Sequence, residues 1–308
     1  MVKKEISTRD IVLGNKRPTA LSSLAQRYEI PTHELEATVK ELQKEGYGID
    51  ISGDTIYRKH VDVQSEPVDL SQRFKKHFKF AVVSDTHFGN KNARVDALNT
   101  FYDIAQTEGC HDTFMCGDIT DGVNPFQGSI QEQDLPNQDD QVDMVVREYP
   151  RRRGMVTRFI TGNHDNKEYA RGGSDCGKSI ADQRDDLQYL GMIDRTVQMS
   201  EGGVTAELIH PAGNQAFSLS YKSQKDLQSR SEDDLPDLYM SGHFHQAWYG
   251  HFKGVEVLSV PSFKDNGLWE RRLGLTGVVG GWVVEGKLND EGTRIDRFRP
   301  ELVTFRKR

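Results

Sequence analysis

From Leu21 onward, apolar residues fall at helical spacing: Leu21, Leu24, Ala25 and Tyr28 stand at i, i+3, i+4 and i+7 and share one face. Beyond Pro31, Thr32 supplies a capping hydroxyl for a second helix whose apolar side is Leu35, Val39 and Leu42, with Gly46-Tyr47-Gly48 as its stop. Ile49 and Ile51 then alternate with polar residues, Ser52-Gly53-Asp54 provides turn chemistry, and Thr55-Ile56-Tyr57 returns, which predicts a hairpin. Residues 61–77 lose this periodicity, are polar and carry Pro67. They read as a linker between a small first domain, residues 1–60, and a larger second one, residues 78–308.

The second domain has a different rhythm. Phe78 to Val83 is a strand that stops at Ser84-Asp85-Thr86-His87, and Val95, Leu98, Phe101, Ile104 and Ala105 make a helix within 91–108. Asp112 to Cys116 is a second strand ending in Gly117-Asp118. Val142 to Glu148 reads as helical, and Met155 to Ile160 is a third strand ending in Gly162-Asn163-His164-Asp165. Val204 to Ile209 ends in His210, and Leu238 to Ser241 ends in Gly242-His243-Phe244-His245. Further strands follow at Val255 to Val260, at Gly280 to Glu285 and around Glu301 to Phe305. Strand, polar tip and helix in succession predict an α/β fold with ligands gathered at the carboxyl ends of the strands.

Composition narrows the class. A chain of 308 residues holds two domains with real cores, and 35% hydrophobic with 28% charged residues belongs to the globular range, which excludes disorder of the whole chain. The formal net charge of -7 disfavours nucleic-acid binding over the whole surface, so any contact with DNA or RNA is local. Cys110, Cys116 and Cys176 are odd in number and lack CxxC spacing, so neither a disulfide framework nor a thiolate zinc site is indicated, and a cytoplasmic setting is expected. Met1 to Asp10 mixes charges with no apolar run behind it, unlike a secretory signal. The longest uncharged apolar run, Leu273 to Val284, contains four glycines and falls short of the about 20 residues of a membrane helix, so no membrane partner is expected.

Helix, short turn, helix and hairpin over about residues 7–60 resemble a winged helix-turn-helix domain. Such domains often read DNA through the second helix. Here that helix carries Glu34, Glu36, Glu41 and Glu45 against Lys40 and Lys44, which repels phosphate. DNA or RNA and a protein partner both stay open for this unit.

The polar tips are Asp85 and His87; Asp118 and Asp121; Asn163, His164 and Asp165; His210; and His243 and His245, which together hold half of the ten histidines. Residues two apart on a strand project to one side, so Asp85 and His87 can reach the same cation, as can His243 and His245. Glycine beside Asp118, Asn163 and His243 lets the backbone turn sharply and leaves room for an ion or a phosphate. Asp118, with two free carboxylate oxygens, is a natural bridge between two ions. The ordered pattern D-x-H, G-D-x-x-D, G-N-H-D, H, G-H-x-H, from Asp85 to His245, resembles the calcineurin-like metallophosphoesterase superfamily.

That resemblance implies a metallophosphoesterase β-sandwich flanked by helices, a four-layer α/β/β/α arrangement, with a dinuclear site at one edge. Carried over motif by motif, one ion falls to Asp85, His87, Asp118 and His245, and the other to Asp118, Asn163, His210 and His243. The ligand types suit two divalent transition-metal ions better than calcium, with manganese the leading expectation and iron or zinc the alternatives. A metal-bound hydroxide would be the nucleophile. His164, outside the ligand set, would serve the leaving group, and Asp121 would orient it and favour its charged form. Asp165 is either a support to the ligands or a loop cap, and Asn90 has an ordinary turn role. No ligand position is substituted, which sets the chain apart from an inactive relative that uses the fold for binding.

The substrate is less constrained. Protein serine/threonine phosphatases of this superfamily carry arginine after the second block and glutamate at the end of the third, where this chain has Gly122 and Asp165, so a protein phosphatase ranks low. The winged-helix-like unit and a resemblance of the blocks to bacterial repair exonucleases favour a phosphodiesterase or nuclease acting on nucleic acid or nucleotides. The alternative is a phosphomonoesterase on a small phosphorylated substrate. An acidic insert (Glu132, Asp134, Asp139 and Asp140) opposes polyanions, while Arg151-Arg152-Arg153 precedes the third strand at the far end and reads as a solvated turn. Phe244, Trp248 and Tyr249 read first as packing against the sheet edge.

Overall fold

The computed structural model describes residues 7–14, 19–44, 49–57, 67–123 and 130–306, and the chain divides into two compact units, Met1–Glu66 and Pro67–Arg308. The first unit contains α1 (Thr8–Gly14), β1 (Thr19–Ala20), α2 (Leu21–Tyr28), α3 (Thr32–Lys44), β2 (Asp50–Ser52) and β3 (Thr55–Tyr57). The apolar stripes read from the sequence become its core: Leu21 and Leu24 of α2 meet Leu35, Val39 and Leu42 of α3, joined by Ile11 and Val12 of α1 and by Ile49 and Ile56. β2 and β3 form the predicted hairpin, with Ile51 opposite Ile56, and β1 pairs with the other edge of β3. The helix stop at 46–48 lies outside the described residues.

The second unit contains β4 (Val68–Asp69), β5 (His77–Val83), α4 (Val95–Thr107), β6 (Asp112–Cys116), α5 (Gln138–Glu148), β7 (Val156–Thr161), α6 (Cys176–Ala181), β8 (Leu187–Met192), β9 (Asp194–Gln198), β10 (Thr205–Ile209), α7 (Tyr221–Gln228), β11 (Leu238–Ser241), β12 (Trp248–Phe252), β13 (Val255–Ser259), α8 (Leu268–Arg272), β14 (Gly280–Leu288) and β15 (Ile295–Thr304). They build two six-stranded mixed sheets, one in the order β15-β14-β5-β6-β7-β8 and the other β12-β13-β11-β10-β9-β4. β5, β6, β7 and β8 run parallel, as do β10, β11 and β13.

Strand alternation explains the layering. On β5, Phe78, Phe80 and Val82 face the second sheet and pack with Leu208 of β10, Met240 of β11 and Leu258 of β13, while Ala81 and Val83 face the helices α4, α5 and α6. The outer face of the second sheet, with Ile209, Tyr239, Val255 and Val257, is covered by Leu227 of α7. Near-continuous apolar runs such as Phe80 to Val83 are what a sheet buried on both faces requires.

Part of the segment read as a linker belongs to this unit. Val68 and Asp69 pair with Val197 and Gln198 of β9, and Leu70 and Phe74 are buried between the sheets; residues 61–66 lie outside the described residues. Phe74 sets its ring against Phe80 and Phe114, at centroid separations of 5.8 and 6.0 Å, so tertiary packing orders a stretch without local periodicity. α5 starts four residues before the expected Val142, where Asn137 caps it by accepting from the Asp140 N–H at 2.8 Å. Among the described residues no helix is long and apolar enough to cross a membrane, and the three cysteines are free and buried.

Phe80 is fully buried at the centre of this aromatic cluster. Phe80→Ala is expected to cost about 3–5 kcal/mol of stability, read as a lowered urea midpoint with an unchanged slope.

Candidate metal centre

All five polar tips leave the carboxyl ends of strands. Asp85 and His87 follow β5, Asp118 and Asp121 follow β6, and Asn163 and His164 follow β7, all in the first sheet; His210 follows β10, and His243 and His245 follow β11, in the second. Because the strands within each set are parallel and the sheets face one another, these tips converge at one end of the sandwich.

The backbone there is not strand. Asp85, His87, Asp118, His243 and His245 all have positive φ, at 51°, 47°, 54°, 75° and 54°, five of the eight non-glycine residues of that kind among those described. The expectation that Asp85 and His87 share a side because they sit two apart on a strand therefore fails in its reason, although the two side chains do meet. Each left-handed residue costs about 1–3 kcal/mol, a strain that persists only where surrounding contacts impose it. Those contacts need close approach: a Cβ on Gly162 would run into Asp118 Oδ1, and one on Gly117, itself at φ +91°, into the His210 ring. The glycines thus admit ligand side chains rather than leaving open space.

Three groups of ligand atoms lie within 4.8 Å of one another: Asp85, His87 and His245; His87, Asp118 and His164; and Asp118, His210 and His243. Asn163 joins the last, its Oδ1 lying 3.0 Å from His210 Nε2. Asp118 Oδ2 stands 3.2 Å from His210 Nε2 and 4.0 Å from both His87 Nε2 and His164 Nε2, so it faces both sides. All nine candidate residues are brought to one place, including His164, which the sequence reading kept apart from the ligands.

The outward atoms are fixed by hydrogen bonds. Asp85 Oδ2 accepts from the Ser84 hydroxyl at 2.5 Å and from the His243 N–H at 2.9 Å, while its Oδ1, buried, accepts none. Asp118 Oδ1 accepts from the His164 N–H at 2.8 Å. His210 Nδ1–H donates to the Cys116 carbonyl at 2.8 Å, which leaves Nε2 to face the cluster, and His243 Nε2–H donates to the Gly213 carbonyl at 2.7 Å, which leaves Nδ1. A buried carboxylate oxygen without a donor, facing several imidazole nitrogens that offer lone pairs once deprotonated, fits a cation. The donor set of carboxylate, imidazole and amide suits a first-row transition metal.

Charge follows the same geometry. Burial pushes the Asp118 carboxyl up, but the imidazoles of His210, His164 and His87 outweigh it and hold it well below the usual range; Asp85, pushed up by burial and down by His245 and His210, settles at about 2. Burial lowers His210, yet the Asp118 and Asp85 carboxylates raise it to about 10, so a cation binding at neutral pH would release a proton.

Two expected roles change. The Asp121 carboxylate, expected against His164, lies against His87 Nδ1 at 3.1 Å and accepts from Asn90 Nδ2 at 3.1 Å; His164 Nδ1–H reaches the Asp121 backbone carbonyl instead, at 2.6 Å. Nor is His164 held charged: burial lowers it, the His87 and Lys167 charges add to that, and it falls to about 4 despite Asp118. Asp165 accepts the N–H groups of Ile119, Thr120 and Gly162 and the Thr120 hydroxyl, at 2.7–3.1 Å, tying the β6 and β7 tips together. Ser84, Gly213 and Lys167, whose Nζ lies 3.5 Å from His164 Nδ1, went unnoticed in the sequence because no spacing marks them.

Of the acidic insert, Glu132 is buried and accepts from the Leu268 N–H and from Asn92 Nδ2, so its carboxylate is internally used. Tyr249 stacks on Phe298 at 5.7 Å, and Trp248 packs on the outer core, both as packing. Arg151 and Arg152 pair with Asp185 and Asp103, as a turn remote from the cluster.

Residues 78–281 match the family model for calcineurin-like phosphoesterases. The chain belongs to that family. No curated protein is a significant match. Similar solved structures include an archaeal phosphodiesterase (13% identity, TM-score 0.42, covering 73% of this chain and all of that one) and Vps29 from Entamoeba histolytica with zinc (14%, 0.36, 74% and all). A predicted phosphoesterase from Streptococcus pneumoniae is similar at 12% identity and TM-score 0.35, covering 74% of this chain and 99% of that one. The matched segment contains all the converging tips, from Asp85 to His245.

Asp165 uses both carboxylate oxygens as acceptors. In Asp165→Asn one of them becomes an NH2 that faces N–H donors, and stability should fall by about 1–3 kcal/mol, seen as a lower thermal midpoint.

Proposed function

We propose that this calcineurin-like phosphoesterase hydrolyses phosphodiesters at a dinuclear metal site, with nucleic acid or nucleotides as the substrate class. The observation that carries the reading is Asp118, whose Oδ2 faces His210 on one side and His87 on the other. Asp85, His87 and His245 would hold one ion, Asn163, His210 and His243 the other, and Asp118 both; manganese, iron or zinc would suit these donors. When bound, two divalent ions supply the charge and the acidified water that phosphoester hydrolysis needs.

The chain's own residues do the rest. Ser84 and the His243 N–H hold Asp85 in one orientation, and Asp121 fixes the tautomer of His87 by taking its Nδ1–H. His164 donates Nδ1–H to the Asp121 carbonyl, so its Nε2 carries a lone pair toward the cluster. Neutral at physiological pH, it would take up a proton from solvent at Nε2 and deliver it to the departing oxygen. A diester is preferred over a monoester because the ordered blocks resemble those of bacterial repair exonucleases.

The first unit we read as a winged helix-turn-helix-like module. Its exposed α3 residues Glu34, Glu36 and Glu41 outnumber Lys40, which supports a protein partner over phosphate contacts.

The direct test is hydrolysis of bis-p-nitrophenyl phosphate against the mono-ester, with manganese, zinc or iron added. Higher kcat/KM on the diester is expected; the opposite ranking would favour the monoesterase, and no hydrolysis with any metal would remove the enzymatic reading. Asp121→Ala should weaken manganese affinity by about 10- to 100-fold through the loss of His87 orientation, measured by titration calorimetry. His164→Ala should keep its metal content while turnover falls about 10²–10⁴-fold, less on a p-nitrophenyl ester than on an alkyl diester. Equal losses on both would dismiss the proton transfer.

A further inference from the structure

The loop that follows His210 and leads into α7 is tied to the metal end at two points. His243 Nε2–H donates to the Gly213 carbonyl at 2.7 Å, and Gln215 Nε2 donates to the Phe244 carbonyl at 3.4 Å, with the Phe244 ring 5.0 Å from that of His243. Just beyond these ties the chain turns apolar groups into water. Phe217 is fully exposed, with Leu219 and Tyr221 also exposed, although large apolar side chains are normally withdrawn from solvent.

Ammonium groups interleave with these rings. Lys225 Nζ lies 5.6 Å from the centre of the Tyr221 ring, and Lys222 Nζ lies 3.3 Å from the position a Cβ on Gly213 would take, beside the turn whose carbonyl orients His243. An exposed Phe217 ring, with Lys222 and Lys225 in the same segment and that segment tied to His243 and Phe244, meets the two needs of single-stranded nucleic acid: stacking for the bases and counter-charge for the phosphates. A duplex instead needs a broad basic face, which a chain of net charge -7 does not offer.

We propose that residues 213–225 form a platform for single-stranded polynucleotide, with Phe217 as a stacking ring and Lys222 and Lys225 as phosphate contacts. This narrows the substrate class proposed above and rests on that reading. The platform favours single strands over duplexes and binds with a shallow salt dependence, because two lysines neutralise few phosphates.

The test uses the full chain and a fluorescein-labelled oligothymidylate, with binding followed by anisotropy at several salt concentrations. Phe217→Ala should weaken binding by about 5- to 100-fold, while Phe217→Tyr retains it. Lys222→Gln should reduce the slope of log affinity against log salt by about one unit. The same sequence as a duplex should bind more weakly to the unsubstituted chain. Unchanged melting of Phe217→Ala is expected from an exposed site and separates loss of stacking from loss of fold. Equal affinity of Phe217→Ala and the unsubstituted chain, or equal binding of duplex, overturns the platform and gives the exposed ring to a protein surface. The two proposals fail separately: oligothymidylate binding without hydrolysis of any ester removes the phosphoesterase reading, and diester hydrolysis without oligothymidylate binding removes the platform.

Discussion

The hydrogen bond from His210 Nδ1–H to the Cys116 carbonyl, 2.8 Å long, joins the end of β10 in one sheet to the end of β6 in the other. A second crossing, from the His243 N–H to Asp85 Oδ2, does the same for β11 and β5. Both depend on the two sheets holding their faces together through Phe80, Phe114, Leu208 and Met240. If that apolar layer shifted by an ångström, both bonds would lengthen and the imidazoles would lose their aim. Side chains that are close-packed have little freedom to follow such a shift independently, so the core of the sandwich and the geometry of the cluster are one constraint.

That constraint also explains where the strain sits. Five residues of the cluster take a left-handed backbone, and the same turns pack so closely that Gly117 and Gly162 leave no room for a Cβ. Turning the chain sharply at each strand end points the side chain back across the sheet edge instead of along it. Asp165 offsets part of the cost by accepting three backbone N–H groups from two different tips. The carboxylates and imidazoles then neutralise one another, which keeps Asp85 and Asp118 ionised in a site from which water is largely excluded.

His164 and Asp121 show how proximity in a motif differs from pairing in space. They lie at neighbouring strand ends, yet the backbone carbonyl of Asp121 takes the His164 proton and its carboxylate turns to His87. The consequence is a His164 that burial and its charged neighbours hold neutral, beside a His87 that, despite its burial, is oriented and favoured in its charged form by the Asp121 carboxylate.

The sequence by itself determined the strands that carry the polar tips, the tips themselves and the family, because strand periodicity is local and the blocks from Asp85 to His245 stand in order along the chain. It also determined the apolar faces of α2 and α3, whose spacing survives intact in the core of the first unit. It missed β1, β4, β8, β9 and β12, the helices α1, α6, α7 and α8, and the burial of Phe74, where the signal is short or lies in polar surroundings. Only the tertiary structure decided which oxygen of each carboxylate faces inward, that Asp121 serves His87, that Asp165 is a tie between loops, and that Phe217, beyond the Gly213 tie to His243, is left exposed. The reason is physical: hydrogen-bond partners more than thirty residues apart are chosen by packing and by the left-handed turns it imposes, and neither is written into any local run of residues.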